Sequence, residues 1–153
     1  MGNASLAKSL IKNAVELTRQ RREYVRLGLK LGSVDRNIFV IRGGTQLQRK
    51  NHGLGIASSA LADSGLVHGR PIIAIGVENG VVVVEARASE ELVEAGLNLQ
   101  KIMSSVATKM GGGVTGGGHK AAAGADGFTE DRLLEFLSLV KDAVAQQLSN
   151  PAA

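Results

Sequence analysis

The chain has 153 residues, 44% of them hydrophobic and 21% charged, with a formal net charge of +4 and a pI near 9.7, which suits one globular domain rather than a disordered chain. It has no apolar run long enough to span a bilayer, no signal core in its start MGNASLAKSL, and no cysteine for disulfides, zinc fingers or thiol catalysis. The basic balance favours a polyanionic partner, but with only four aromatics, Tyr24, Phe39, Phe128 and Phe136, base stacking is not the expected device. The expectation is a cytoplasmic protein without a membrane partner.

The first predicted element is a long helix, Ala4 to Leu31, capped by Asn3. Leu6, Leu10, Ala14, Leu17, Tyr24 and Leu31 recur at helical steps. Lys8, Lys12, Arg19, Arg22, Arg26 and Lys30 line another face, with Glu16 and Glu23 placed to pair with Lys12 and Arg19. That basic stripe reads as a solvated face or as a docking face for nucleic acid or an acidic protein. Gly28, Gly32 and Ser33 are read as its end.

Asn37 to Arg42 then reads as a buried strand, Gly43-Gly44-Thr45 as a turn, and Leu54 to Leu66 as a helix of small residues packed close on a sheet. His52 and His68, flanking it, are read as surface residues. Pro71 to Val77 is a second buried strand. Asn79-Gly80 is a two-residue hairpin signal, so Val81 to Ala88 is its antiparallel partner. Ser89 opens a short helix, and Asn98 or Leu99 to Met110 forms another. A glycine loop follows, then a strand over His119 to Ala125, and Thr129 caps a last helix reaching Leu148. The pattern is α/β: a mixed β-sheet with flanking helices and a long N-terminal helix. Residues 1–33 read as a basic amphipathic helix and 34–150 as the domain proper, in one compact unit.

The chemistry concentrates in GGGVTGGGHKAAAGA, residues 111–125, which contains seven glycines. Without Cβ the backbone approaches a ligand closely, successive N–H groups make an anion-binding nest, and His119 and Lys120 add a donor and a fixed charge. Gly111-x-Gly113-x-x-Gly116 matches the dinucleotide fingerprint only formally. That motif needs a strand before and a helix after, the reverse of the predicted order here. Lys120 is followed by Ala121, which excludes the Walker loop. A phosphate or phosphodiester ligand remains. The bland alternatives are a His119 satisfied within the sheet, a Lys120 pointing away, and Gly111 to Gly113 as a mere linker.

GGGHKAAAGA at 116–125 resembles the signature of the DHH-associated domain, the C-terminal module of the DHH phosphoesterase superfamily. Gly53-x-Gly55-Ile56-Ala57-Ser58, Val84-Glu85-Ala86-Arg87-Ala88-Ser89 and Gly96-Leu97-Asn98-Leu99 are similar to further segments of its RecJ-like members. The resemblance implies that Arg87, Gly116, Gly117, Gly118, His119 and Lys120 bind a phosphodiester backbone. Arg87 can instead be a strand-end charge paired with Glu85 or Glu90. The Arg-Pro-Asp-type residues of the alanyl-tRNA synthetase module are replaced here by His119-Lys120, which favours the nuclease-type branch.

The superfamily's catalytic half holds two metals on an Asp-His-His motif and further aspartates. This sequence has no such motif; Asp35, Asp63, Asp126, Asp131 and Asp142 are scattered. No metal site, cofactor or catalytic residue is therefore expected. The initiating Met1 and capped first helix suggest a complete short protein, similar to a stand-alone archaeal RecJ-like protein associated with the GINS complex of DNA replication. The expected partners are single-stranded nucleic acid, or another phosphodiester ligand, and a GINS-like protein. The alternatives are a protein scaffold with a relic loop, the substrate-binding half of a phosphodiesterase or exonuclease, and a small-nucleotide sensor.

Overall fold

The structure, a computed structural model, describes residues 2–43 and 53–149. Thr45 and His52 lie outside the described residues, and so does most of the expected 43–45 turn. In chain order the elements are helix α1 (Gly2–Leu31), β1 (Gly32–Asp35), β2 (Ile38–Arg42), α2 (Gly53–Ser64), β3 (Ile72–Glu78) and β4 (Val81–Arg87). Then come α3 (Glu90–Glu94), α4 (Leu99–Met110), β5 (Thr115–Gly118), β6 (Ala122–Phe128), a 3-10 turn (Glu130–Arg132) and α5 (Leu133–Ser149). Among the described residues, six strands form one sheet in the order β1-β2-β3-β4-β6-β5. β2 and β3 pair in parallel and the other neighbours antiparallel, so the sheet is mixed, as expected.

Strand neighbours alternate faces, and the two faces bury different cores. Ile38, Val40, Ile73, Ile75, Val82, Val84, Ala86, Ala123, Ala125 and Phe128 pack against α4 and α5, where Phe128 stacks on Phe136 at 4.9 Å. Phe39, Ile41, Ile72 and Ala74 pack on the other face against Leu54, Ala57 and Leu61 of α2, backed by Tyr24, Val25, Leu27 and Leu31 of α1. The small-residue reading of α2 holds. Ala57 and Ser58 are fully buried, and the Ser58 hydroxyl donates to the Leu54 carbonyl at 2.6 Å.

Two hairpins show how turn chemistry was and was not readable. Asn79 and Gly80 both take positive φ, 51° and 78°, the turn that Asn-Gly favours. β1, by contrast, carries no strand signal of its own. Its four residues include Gly32 and Asp35, and its turn places Arg36, not Asn or Gly, at φ 57°. It exists because β2 offers it an edge. Gly32 does not end a helix by freedom alone: a Cβ there would lie 2.2 Å from the Phe39 ring.

Ser89 caps α3 as expected, accepting from the backbone N–H of Leu92, and Asn98, at the expected start of the next helix, caps α4 by accepting from that of Lys101. Three expectations need correction. Thr129 makes no cap bond, because its hydroxyl is spent on the Asp131 carboxylate, and the chain enters α5 through the 3-10 turn. Glu16 pairs one turn onward with Arg19 at 2.8 Å rather than back with Lys12. The Arg19 hydrogen bond, helped by Gln20, holds its carboxyl below the ordinary value. The helix begins at Gly2, so Asn3 lies inside it instead of capping it.

Arg132 closes the other end of the α4–β5 connection. Its guanidinium donates to the Met110 carbonyl at 2.9 Å, covering an end group of α4, and forks onto Glu135, whose carboxyl it lowers below the ordinary range. Arg132→Met removes the cap and is expected to cost about 1 kcal/mol, or a fall of about 2–4 °C in Tm by calorimetry.

Candidate functional site

The glycine-rich segment does not form one loop; it divides in two. Gly111, Gly112 and Gly113 take φ of 62°, 65° and 85°, a left-handed turn from α4 into β5 at one end of the sheet. Thr115 to Gly118 is a strand, hydrogen-bonded along β6 with Gly116 opposite Ala125, Gly117 opposite Gly124 and Gly118 opposite Ala123. The expected strand over His119–Ala125 is corrected accordingly. His119 to Ala121 make the hairpin turn, and the strand runs from Ala122 to Phe128. A ladder forms here because glycine tolerates extended backbone as readily as any other, and β6 supplies partners that a free nest would lack.

The three central glycines are not equivalent. A Cβ on Gly116 would stand 2.3 Å from the Met103 carbonyl oxygen and 3.2 Å from the Ala107 Cβ, so its bareness lets α4 lie against the strand. Gly118 takes φ 136°, and a Cβ there would overlap the Ala123 backbone at 2.6 Å. On Gly117 a Cβ would meet nothing nearer than the Ser104 hydroxyl, at 4.0 Å. Packing accounts for Gly116 and Gly118 and leaves Gly117 unexplained.

By alternation, Gly117, Gly124 and Ala122 share the face opposite the buried Ala123 and Ala125, the face on which Val83, Glu85 and Arg87 of β4 also stand. α2 covers that face over β3 and β4, and beyond it Gly117, Ala122 and Gly124 remain half-buried while Thr115 and Asp126 are exposed. We call this strip of nearly bare backbone, bounded on one side by α2, the trough.

Arg87 stands at its wall. Its Nε donates to the Ser59 hydroxyl at 3.2 Å, and its Nη1 donates to the Glu85 carboxylate at 3.0 Å and the Ala86 carbonyl at 2.9 Å. Its Nη2 lies over Gly55, where a Cβ would be 3.1 Å away, and makes no hydrogen bond among the described residues. The pairing with Glu85 anticipated from sequence is therefore present, and it fixes the guanidinium without using all its donors. Gly55 and Ser59 were not singled out as holders of Arg87; the signal was a glycine inside a helix, two residues past its start.

The hairpin turn closes the end of the trough. Arg87 is opposite Ala122, and the Ala88 N–H donates to the Ala121 carbonyl at 2.9 Å, so His119 and Lys120 sit at the Arg87 end of the sheet. His119 exchanges backbone bonds with Ala122, and the Lys120 carbonyl accepts from Leu99 at 2.9 Å, which pins the turn to the start of α4. Both side chains are exposed and make no hydrogen bond among the described residues. A groove of about 720 Å³ between α1 and α2, lined by Leu17, Tyr24, Ile56 and Ser59, opens onto Arg87 and Glu85. His68 is exposed, as expected. Among the described residues, no group of three or more His, Asp or Glu stands close enough to hold a metal, and no helix is long and apolar enough to cross a membrane.

The sequence profile of the DHHA1 domain matches residues 48–146, nearly two thirds of the chain. The chain belongs to the DHHA1 family. Known folds agree with the assignment. A DHH-domain structure from a member of a family of ribosomal proteins superposes on 94% of this chain with TM-score 0.62 and 24% identity. CDC45 from Entamoeba histolytica covers 81% at 0.63 and 12%, and RecJ from Thermus thermophilus, solved with Mg2+, covers 92% at 0.52 and 21%. At these identities the likeness is one of fold. The DHHA1 chain spans only 35%, 27% and 20% of those three proteins. No curated protein sequence matches it significantly.

Proposed function

We propose that this DHHA1 domain binds the phosphodiester backbone of single-stranded nucleic acid in the trough, without cutting it. One observation supports the reading above others: Gly117 is bare for no packing reason, on the floor of a trough ended by Arg87, His119 and Lys120, which have unspent donors. A phosphate seated over Gly117 and Gly124 approaches the backbone as no side chain would permit, and three cationic or donor groups converge on its oxygens. Gly116 and Gly118 then shape the strand, and Gly117 touches the ligand.

Hydrolysis by two metals needs a carboxylate cluster, so the chain by itself binds and positions, in the manner of a subunit. Its partner in that reading is a GINS-like replication protein, with the basic helix of residues 1–33 serving apart from the 34–150 body. A second reading rests on length. Because the chain spans about a third or less of the three proteins it superposes on, the trough can be the substrate-holding half of a phosphodiesterase whose catalytic half is another domain.

Salt tests the binding. Anisotropy of a labelled single-stranded oligonucleotide, titrated over rising salt, is expected to give a log–log slope of about −1.4, near −0.7 for each of the phosphates neutralised by Arg87 and Lys120. A flat salt response, or no binding at low salt, rejects the backbone reading.

A further inference from the structure

The N-terminal half of α1 stands off the body of the domain: every residue from Ala4 to Gln20 is exposed, and the first tie to α2 is the ion pair of Arg21 with Asp63. Five large apolar side chains there, Leu6, Leu10, Ile11, Val15 and Leu17, are between 59% and 66% exposed. They are not scattered. At about 100° per residue, Ala7 and Ala14 fall at the middle of one half of the helix, with Leu6, Leu10 and Leu17 along one flank and Ile11 and Val15 along the other. Lys8, Lys12, Arg19, Ser9, Asn13 and Glu16 occupy the opposite half. A helix of this length without tertiary contact is marginal in water. The Leu flank continues, past Leu17, into the line of Tyr24, Leu27 and Leu31 that already packs on α2 and β2.

We infer that this face pairs antiparallel with the same face of a second copy of the chain. Two alanines seven residues apart let another helix approach closely, near the 8 Å end of the usual interaxial range. An isologous antiparallel pair sets like flank against like flank. With the two-fold axis beside Leu10 and Ile11, Ala7 stands opposite Ala14 of the second copy, Leu6 opposite Leu17, and Leu10 and Ile11 each meet their own equivalents. Each of these residues then has an apolar partner. The charge pattern fits this occupant: the lysines and Arg19 point away from the seam, so two copies meet without opposing their basic stripes, although the chain is basic as a whole. The overhang of one copy also reaches towards the groove beside Leu17, Tyr24 and Ile56 of the other, extending an interface that a single helix pair would leave at the small end for stable dimers.

Sedimentation velocity of the full chain across the micromolar range tests it. The expected result is a monomer–dimer equilibrium with a dissociation constant in the micromolar range, weakened about a hundredfold by Leu10→Glu, an exposed position whose change leaves the melting temperature of the body alone. Because the chain has no cysteine, orientation is read separately. Leu10→Cys, on the axis, forms a disulfide-linked dimer under mild oxidation, while Leu17→Cys, facing Leu6, does not. A wild-type chain that stays monomeric throughout overturns the pairing, as does equal cross-linking at both positions, which a parallel seam would give.

Discussion

Alanine at both His119 and Lys120 is expected to weaken single-stranded oligonucleotide binding about thirtyfold while leaving the melting temperature unchanged. Both side chains are exposed and bond to nothing among the described residues, so the fold does not depend on them. Each removes one charged or donor contact worth about 1 kcal/mol, and two such losses multiply in affinity. The same variant should reduce the salt slope, because one fixed positive charge leaves the interface. Arg87 is a poorer probe. Its loss strands the half-buried Glu85 and empties the space over Gly55, so a fall in binding would be mixed with a change in stability. An affinity for the double variant equal to that of the wild type means the turn takes no part in binding.

Gly116→Ala should be among the most damaging single changes in the domain, though it adds one methyl group. The new Cβ would stand 2.3 Å from the Met103 carbonyl oxygen, a backbone atom in the middle of α4 that cannot rotate away. Either the helix lifts from β5 or the hairpin shifts its register, and Met103, Val106 and Ala107 lose their packing in both cases. The cost is about 3 kcal/mol, and calorimetry should show Tm lower by about 10 °C. An unchanged Tm would mean that α4 does not rest on the strand as described.

The layered α/β fold was open to reading because its signals are local. Alternating or continuous apolar runs marked β2, β3 and β4, Asn79-Gly80 announced the β3–β4 hairpin, and Ser89 and Asn98 named the starts of two helices. What escaped depends on partners distant in sequence. β1 is held by β2, and β5 is a strand only because β6 lies beside it; three of its four residues, TGGG, are glycines, which strands disfavour. For the same reason the glycine segment looked like one loop. Its left-handed turn at Gly111 to Gly113 and its flat ladder at Gly116 to Gly118 are chemically alike in sequence and separate in space. That Arg87 and the His119–Lys120 turn lie at the same end of the sheet was available only through the family resemblance, since the β4–β6 register that brings them there is set by the sheet. Ranking the glycines needed coordinates, because only neighbouring atoms reveal which bare Cα is occupied by packing.

That ranking sets up the most direct test of the trough, the same substitution made one residue further on. In Gly117→Ala the added methyl meets nothing nearer than 4.0 Å, so the protein should melt within about 1 °C of the wild type. The methyl would nevertheless stand on the floor where a phosphate is proposed to rest. Oligonucleotide affinity, measured by anisotropy beside the melting curve, is expected to fall about tenfold, the loss of roughly 1.4 kcal/mol. A normally folded Gly117→Ala protein that binds as tightly as the wild type would contradict the trough as the binding site.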